Sequence, residues 1–126
     1  MAAGRTIESI SAVTLLTSDM ARSVSFYQAM GFETLYGSRD ASFTSHRAGA
    51  GFLNLEYAPA SHDTKTLWGR IVFRVDDVDA MHRRAVAAGL IPQSEPADAA
   101  WGERFFHIRD PDGHELSFAR PLSGPG

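Results

Sequence analysis

Strand-like and helix-like spacings of hydrophobic residues alternate along this chain, and the whole order is written twice. Within residues 7–17, Val13 and Leu15 point one way and Ala12, Thr14 and Leu16 the other, the two-residue period of a strand. Met20, Val24, Tyr27 and Met30 then follow the spacing of one buried helical stripe. Asp19, behind Ser18, predicts the helix start, because a short polar side chain there accepts from the free N–H groups of the first turn. Gly31 predicts its end, since glycine takes the left-handed conformation that closes helices. Three short strands are expected next, over residues 32–37, 42–48 and 52–57, with turns at 37–40 and 49–51.

The second half repeats the order. Ile71, Phe73 and Val75 form one strand face, with Arg70, Val72 and Arg74 on the other. Asp77 caps a helix whose stripe is Val78, Met81, Ala85 and Ala88, and Gly89 stops it. The step from Asp19 to Asp77 equals the step from Gly31 to Gly89, 58 positions. Strands are expected at 90–93, 101–109 and 114–119, with a loop at 94–100 and a tight turn at Asp110, Pro111, Asp112 and Gly113. The string is β-α-β-β-β twice. It predicts an α+β fold, one domain over residues 1–126, with modules at 7–58 and 68–120 and a polar linker at 59–67. Helices should cover one face of each curved sheet and leave the other face to form a cleft.

Composition narrows the partners. A chain of 126 residues, 44% of them hydrophobic, can bury a real core. Net charge −3 and the lack of a basic block give no support for nucleic acid or an anionic membrane surface. There is no apolar run of bilayer length, and the first residues lack a signal peptide's apolar segment, so the expected address is the cytoplasm. With no cysteine, disulfides, thiolate metal sites and a cysteine nucleophile are excluded.

Thr17, Ser18 and Asp19, the run 23–27 (Ser-Val-Ser-Phe-Tyr), and Gly31 with Phe32 make one ordered set. The run 75–79 (Val-Asp-Asp-Val-Asp), Ala88 with Gly89, Trp101 with Gly102, and the turn at 110–113 make another. Together they resemble the vicinal oxygen chelate superfamily, which includes glyoxalase I, extradiol dioxygenases, fosfomycin-resistance enzymes and bleomycin-resistance proteins. The resemblance implies paired βαβββ modules around a cleft, and a homodimer whose clefts draw on both chains. Metal-using members place His, Glu or Gln on the first and fourth strands of each module. Carried over, those positions are Ala12, Glu56, Arg70 and Ser117. Alanine has no donor atom, a neutral serine is a poor ligand, and arginine is a permanent cation. Only Glu56 would serve, so the chain reads as a member without metal or other cofactor, most like the bleomycin-resistance type.

Alternation and the resemblance nominate a ligand-binding set of Trp101, Phe105, His107, Arg70, Glu56, Ser117, Glu115 and Phe43, with no catalytic residue. Phe106 and Ile108 match core-facing positions of the superfamily that the chain resembles, which implies that Phe105 and His107 turn to the cleft. Trp101 and Gly102 resemble the cleft rim of bleomycin-resistance proteins, where flat groups stack. Tyr36, Phe43 and Trp68 could supply a second stacking wall. Glu56 and Arg70 are expected to pair, either as a plain salt bridge or as a polar anchor in an apolar cleft. Glu115 and Ser117 share a face of the last strand, so a Glu115–His107 dyad is the route to catalysis. His62, His82 and His114 are expected at the surface; the facing of His46 is open. The aspartates at 110 and 112 are expected to serve their turn. The reading is a cytoplasmic homodimer that sequesters an aromatic small molecule, with antibiotics as the candidate class. The alternatives are a divergent lyase, isomerase or dioxygenase of the same superfamily, or a scaffold without a ligand.

Overall fold

In a computed structural model, residues 8–59 and 69–122 are described. Asp19 and Asp77 start their helices by one device. Asp19 accepts from the Arg22 N–H at 3.0 Å and Asp77 from the Ala80 N–H at 3.0 Å, opening α1 (Met20–Ala29) and α2 (Val78–Ala87). Gly31 and Gly89 follow the two helices at φ 99° and 82°, a region that favours glycine.

The strands are β1 (Ala12–Thr17), β2 (Thr34–Tyr36), β3 (Phe43–Ala48), β4 (Gly51–Tyr57), β5 (Arg70–Arg74), β6 (Ala97–Ala99), β7 (Glu103–Arg109) and β8 (Glu115–Pro121). They form two four-stranded sheets of the same topology, β1-β4-β3-β2 and β5-β8-β7-β6. In each, the first and fourth strands of the module run parallel and the other pairs antiparallel. The duplicated α+β order is therefore what the chain builds. The expected linker, with His62, falls mainly on residues 60–68, outside the described residues, as does Trp68.

The expected strand at 90–93 is absent. Pro92 has no N–H to give a ladder, and Gln93 contributes a single backbone bond, to the His107 carbonyl at 2.8 Å. The strand that pairs with the start of β7 is β6, inside the stretch expected to be a loop. Trp101 and Gly102 form a turn before β7, closed by Gly102 N–H to Ala99 carbonyl at 3.0 Å. Ala88 is exposed, beyond the end of its helix's buried stripe, whereas the α1 stripe of Met20, Val24, Tyr27 and Met30 is buried throughout.

Both modules send their helix-side residues into one core. Leu15, Val24, Tyr27, Leu53 and Leu55 share it with Ala85, Phe106, Ile108, Leu116 and Phe118. Phe32 meets Phe73 edge-on, ring centres 5.1 Å apart. The seam also holds polar bonds. Asp112 accepts from the Ser18 N–H and hydroxyl, both at 3.0 Å, and from the Ser23 hydroxyl at 2.9 Å. Tyr27 donates to Asp110 at 2.7 Å. Asp110 also accepts from the N–H groups of Asp112 and His114, as turn bonding predicts, while Asp112 reaches across to the other module.

His46 is wholly buried, so its open facing resolves to the helix side. Its ring lies among Tyr27 and Phe32. Nδ1 is 3.3 Å from the Leu53 carbonyl, while Nε2 has no hydrogen-bond partner. Burial lowers its pKa, against the opposing pull of the Leu53 carbonyl. The folded state thus takes up this proton less readily than the unfolded chain. The associated stability is complete above the ordinary histidine value of 6.5 and is lost as pH falls through the folded value. Melting curves should show wild type losing more thermal stability than His46→Leu between about pH 7.5 and about pH 5.5. Equal losses in the two proteins would assign the acid sensitivity to other groups.

Candidate ligand-binding face

The open face of the second sheet is a small lattice set by strand register. Alternation turns Glu115, Ser117 and Ala119 of β8 to this face, while Leu116 and Phe118 enter the core. On one side β5 places Arg70 opposite Glu115, Val72 opposite Ser117 and Arg74 opposite Ala119. On the other side β7 places Arg109, His107 and Phe105 against the same three residues. The result is an arginine wall, a floor of Glu115, Ser117 and Ala119, and an aromatic wall.

Glu115 is the charge centre. Its carboxylate takes an ion pair from Arg70 and a second from Arg109 at 3.2 Å. The carboxylate side chain is 10% exposed and that of Arg70 33%, so the pair is only partly screened by water. Arg70 also donates to the Ser117 hydroxyl at 3.2 Å and to His107 Nδ1 at 2.9 Å. Since a guanidinium can only donate, Nδ1 is an acceptor and the imidazole proton sits on Nε2. The Ser117 oxygen lies 2.7 Å from the same Nδ1. Burial, then the Arg70 charge, holds the His107 pKa below its usual value, and Glu115 opposes them. The ring is a neutral hydrogen-bonding group at neutral pH.

The aromatic wall continues from His107. Phe105 lies 4.9 Å from its ring, and Trp101 stacks on Phe105 with centres 5.9 Å apart and planes 24° from parallel. Trp101 is 74% exposed, held by its indole N–H to Glu103 at 3.1 Å. A planar group can lie against these rings, a contact that contributes about 0.5–1.5 kcal/mol per ring pair beyond burial.

Six of the eight expected residues thus converge: Trp101, Phe105, His107, Ser117, Arg70 and Glu115. The other two, Glu56 and Phe43, face each other in the first sheet's ladder, in a row with Leu16. The expected Glu56–Arg70 pair is not formed. Arg70 lies beside Glu115 in its own sheet, and Glu56 has no ion pair among the described residues. The Glu115–His107 dyad is not formed either, because both arginines engage the carboxylate and Arg70 stands on the imidazole. Tyr36 and Phe43 lie with ring centres 6.5 Å apart and planes 55° from parallel, tilted rather than stacked.

Two expected surface histidines are built in. His82 packs edge-on against Phe106 at 5.2 Å, and His114 places Nε2 2.8 Å from the Leu16 carbonyl. Arg109 and Arg74 were missed, although the alternation 105, 107, 109 and 70, 72, 74 puts both on this face. The set at Ala12, Glu56, Arg70 and Ser117 does not fit a divalent metal. One carboxylate is present, and a guanidinium occupies the Ser117 end. Among the described residues no group of three or more His, Cys, Asp or Glu is placed to hold a metal ion.

A sequence profile of the Glyoxalase/Bleomycin resistance protein/Dioxygenase superfamily matches residues 9–118. An uncharacterized protein of Mycobacterium bovis is 40% identical over 48 residues, 38% of this chain and 32% of that one, so the match spans about a third of that relative. Two solved structures share the fold. A bleomycin-binding protein complexed with bleomycin is 22% identical, covers 90% of this chain and 98% of its own, and has a TM-score of 0.72. Lactoylglutathione lyase from Agrobacterium tumefaciens is 19% identical, with coverage of 90% and 93% and a TM-score of 0.71.

The lattice predicts a coupled response. Glu115→Gln removes the one influence that raises the His107 pKa and leaves a half-buried guanidinium short of its partner. Imidazole NMR titration should find His107 shifted further down, and denaturant melts should find a loss of about 3 kcal/mol. A His107 pKa that rises in the variant would show that Glu115 does not act on it.

Proposed function

The chain belongs to the Glyoxalase/Bleomycin resistance protein/Dioxygenase superfamily, and we propose that it is a metal-independent protein that binds and sequesters a planar aromatic small molecule. The observation that carries this reading is the Trp101–Phe105 stack, exposed at its outer ring and continuous with His107. Such a surface combines a large apolar area with few rotatable bonds and a polar end, the usual makeup of a small-molecule site. Arg70, Glu115 and Ser117 orient the ligand from its polar side. Only one of the four positions, Glu56, carries a donor suited to a metal, so binding rests on stacking and hydrogen bonds.

The similar bleomycin-binding protein was solved with bleomycin. On that likeness we take an antibiotic with a flat aromatic group as the ligand class, withheld from its target by stoichiometric binding. A chain without cysteine suits a reducing cytoplasm, and no helix among the described residues is long and apolar enough to cross a membrane.

The second reading is an enzyme. It is favoured by the 2.7 Å contact of the Ser117 hydroxyl with His107 Nδ1, a nucleophile–base distance, and by the fold shared with a lactoylglutathione lyase. Against it, Arg70 donates to the same nitrogen, and Ser117 is 3% exposed. A base whose lone pair is already engaged by a cation is poorly placed to take a proton.

Titration of flat aromatic compounds, bleomycin among them, should separate the two. Trp101→Ala is expected to weaken binding by about thirtyfold, roughly 2 kcal/mol for losing a stacking anchor. His107→Ala should cost about 1 kcal/mol, the net worth of one neutral hydrogen bond. Wild-type affinity in Trp101→Ala, with binding or turnover abolished in His107→Ala, would move the enzyme reading ahead.

We also propose a symmetric homodimer. The support is a run of apolar side chains left in water on open sheet faces and strand ends, namely Leu16, Phe52, Tyr57 and Val72, on two sheets that close no barrel. Light scattering at micromolar concentration should give twice the chain mass of 13.7 kDa. A monomer would remove the shared cleft.

A further inference from the structure

The charges on this face do not match those of the chain. The protein carries a net −3, yet the open face of the second sheet holds Arg70, Arg74 and Arg109 against Glu115 and Glu103. Glu115 is engaged by two guanidinium groups at once, and Glu103 by the Trp101 indole. Arg74 has no acidic partner among the described residues. His107 adds no acceptor at its Nδ1, which Arg70 and Ser117 fill. On the first sheet's face Glu56 is offset by Arg47, itself only loosely paired with Glu33 at 4.0 Å. What remains is an excess cation beside an aromatic wall.

We propose that the molecule held here is a planar aromatic acid, its ring on Trp101 and Phe105 and its negative end directed to the arginine wall at Arg74. The register supplies the dimension. Arg74, Ala119 and Phe105 lie in one row across three adjacent strands, so the outer two backbones stand roughly 10 Å apart, about the length of a two-ring aromatic carboxylate. Ala119 between them carries only a methyl group and is buried, so the ligand can bridge the row over a low floor. A ligand cation in that row would meet the like charge of Arg74, a repulsion that salt would screen because Arg74 is exposed. The proposal rests on the stacking role of Trp101 and adds to it the sign of the ligand's charge.

The test uses three probes of one shape: 2-naphthoate, 2-naphthylmethanol and 2-naphthylmethylammonium, titrated calorimetrically into the full chain. Naphthoate should bind at least about tenfold tighter than the neutral alcohol, and the ammonium compound more weakly than either. The advantage of naphthoate should shrink in Arg74→Gln, whose exposed side chain makes no described contact that folding needs, and as salt is raised. Equal affinity for the alcohol and naphthoate, with both lost in Trp101→Ala, would overturn the charge preference and leave stacking intact. Preferred binding of naphthoate that is indifferent to Trp101→Ala would uphold the charge preference and overturn stacking. A preference for the ammonium probe, or no heat from any probe up to about millimolar concentration, would overturn the proposal.

Discussion

The carboxylate of Asp112 is the joint on which the arrangement of the two modules depends. It is buried, and the donors it takes from Ser18 and Ser23 all belong to the other half of the chain, at the threshold of α1. One of them, the Ser18 N–H, precedes a helix whose first amides have no partner within it. Burial by itself would raise the Asp112 pKa, but the bonds from Ser18, Thr17 and Ser23 prevail and hold it below the usual carboxylate range. Beside it Asp110 closes its own turn and takes the Tyr27 hydroxyl, and burial holds its carboxyl above the usual range. Two neighbouring carboxylates with opposite shifts mark a seam where each accepts several hydrogen bonds. Removing one partner leaves a buried charge unmatched, which costs more than the pair contributes. The helix sides of both sheets are thereby locked together, and their open faces remain for a ligand or a second chain.

Much of this was legible in the residues because side-chain facing is a local property. Alternation gave the two faces of β1, β5 and β8, the resemblance settled those of β7, and the 58-position repeat gave the element order twice. The failures are non-local. Pairing across β1–β4 or β5–β8 joins strands some forty residues apart, and nothing in either strand states which residue meets which. Glu56 and Arg70 therefore looked like neighbours, whereas the register seats Arg70 beside Glu115. The missing strand at 90–93 has a different cause. Leu90 and Ile91 read as β-formers, but Leu90 donates back to Ala85 to finish α2, and Pro92 has no donor. Local propensity gave way to the helix end.

His82 and His114 were misread because a histidine is counted as polar. An imidazole is also a flat ring that packs on Phe106, or a donor that satisfies a strand-end carbonyl such as that of Leu16. Both uses consume the side chain without making it a ligand. His46 is the extreme case: a ring sunk among aromatics, with one nitrogen unpartnered and its charged form disfavoured.

The character of the site follows from one guanidinium at position 70. A histidine or carboxylate there could share a metal with Glu56 only if the two sheets turned their first and fourth strands to a common point. Arg70 instead spends its donors inside its own sheet, on Glu115, Ser117 and His107. That choice fixes the imidazole tautomer, since Nδ1 must accept, and leaves Nε2–H as the group free to donate. Burial, and then the Arg70 charge, depress the His107 pKa, so the ring is neutral where a general acid would need a proton and engaged where a general base would need a lone pair. The contacts that hold the plane of the ring also occupy its Nδ1. What those contacts leave is a rigid donor at the end of an aromatic strip, a surface suited to holding a molecule still.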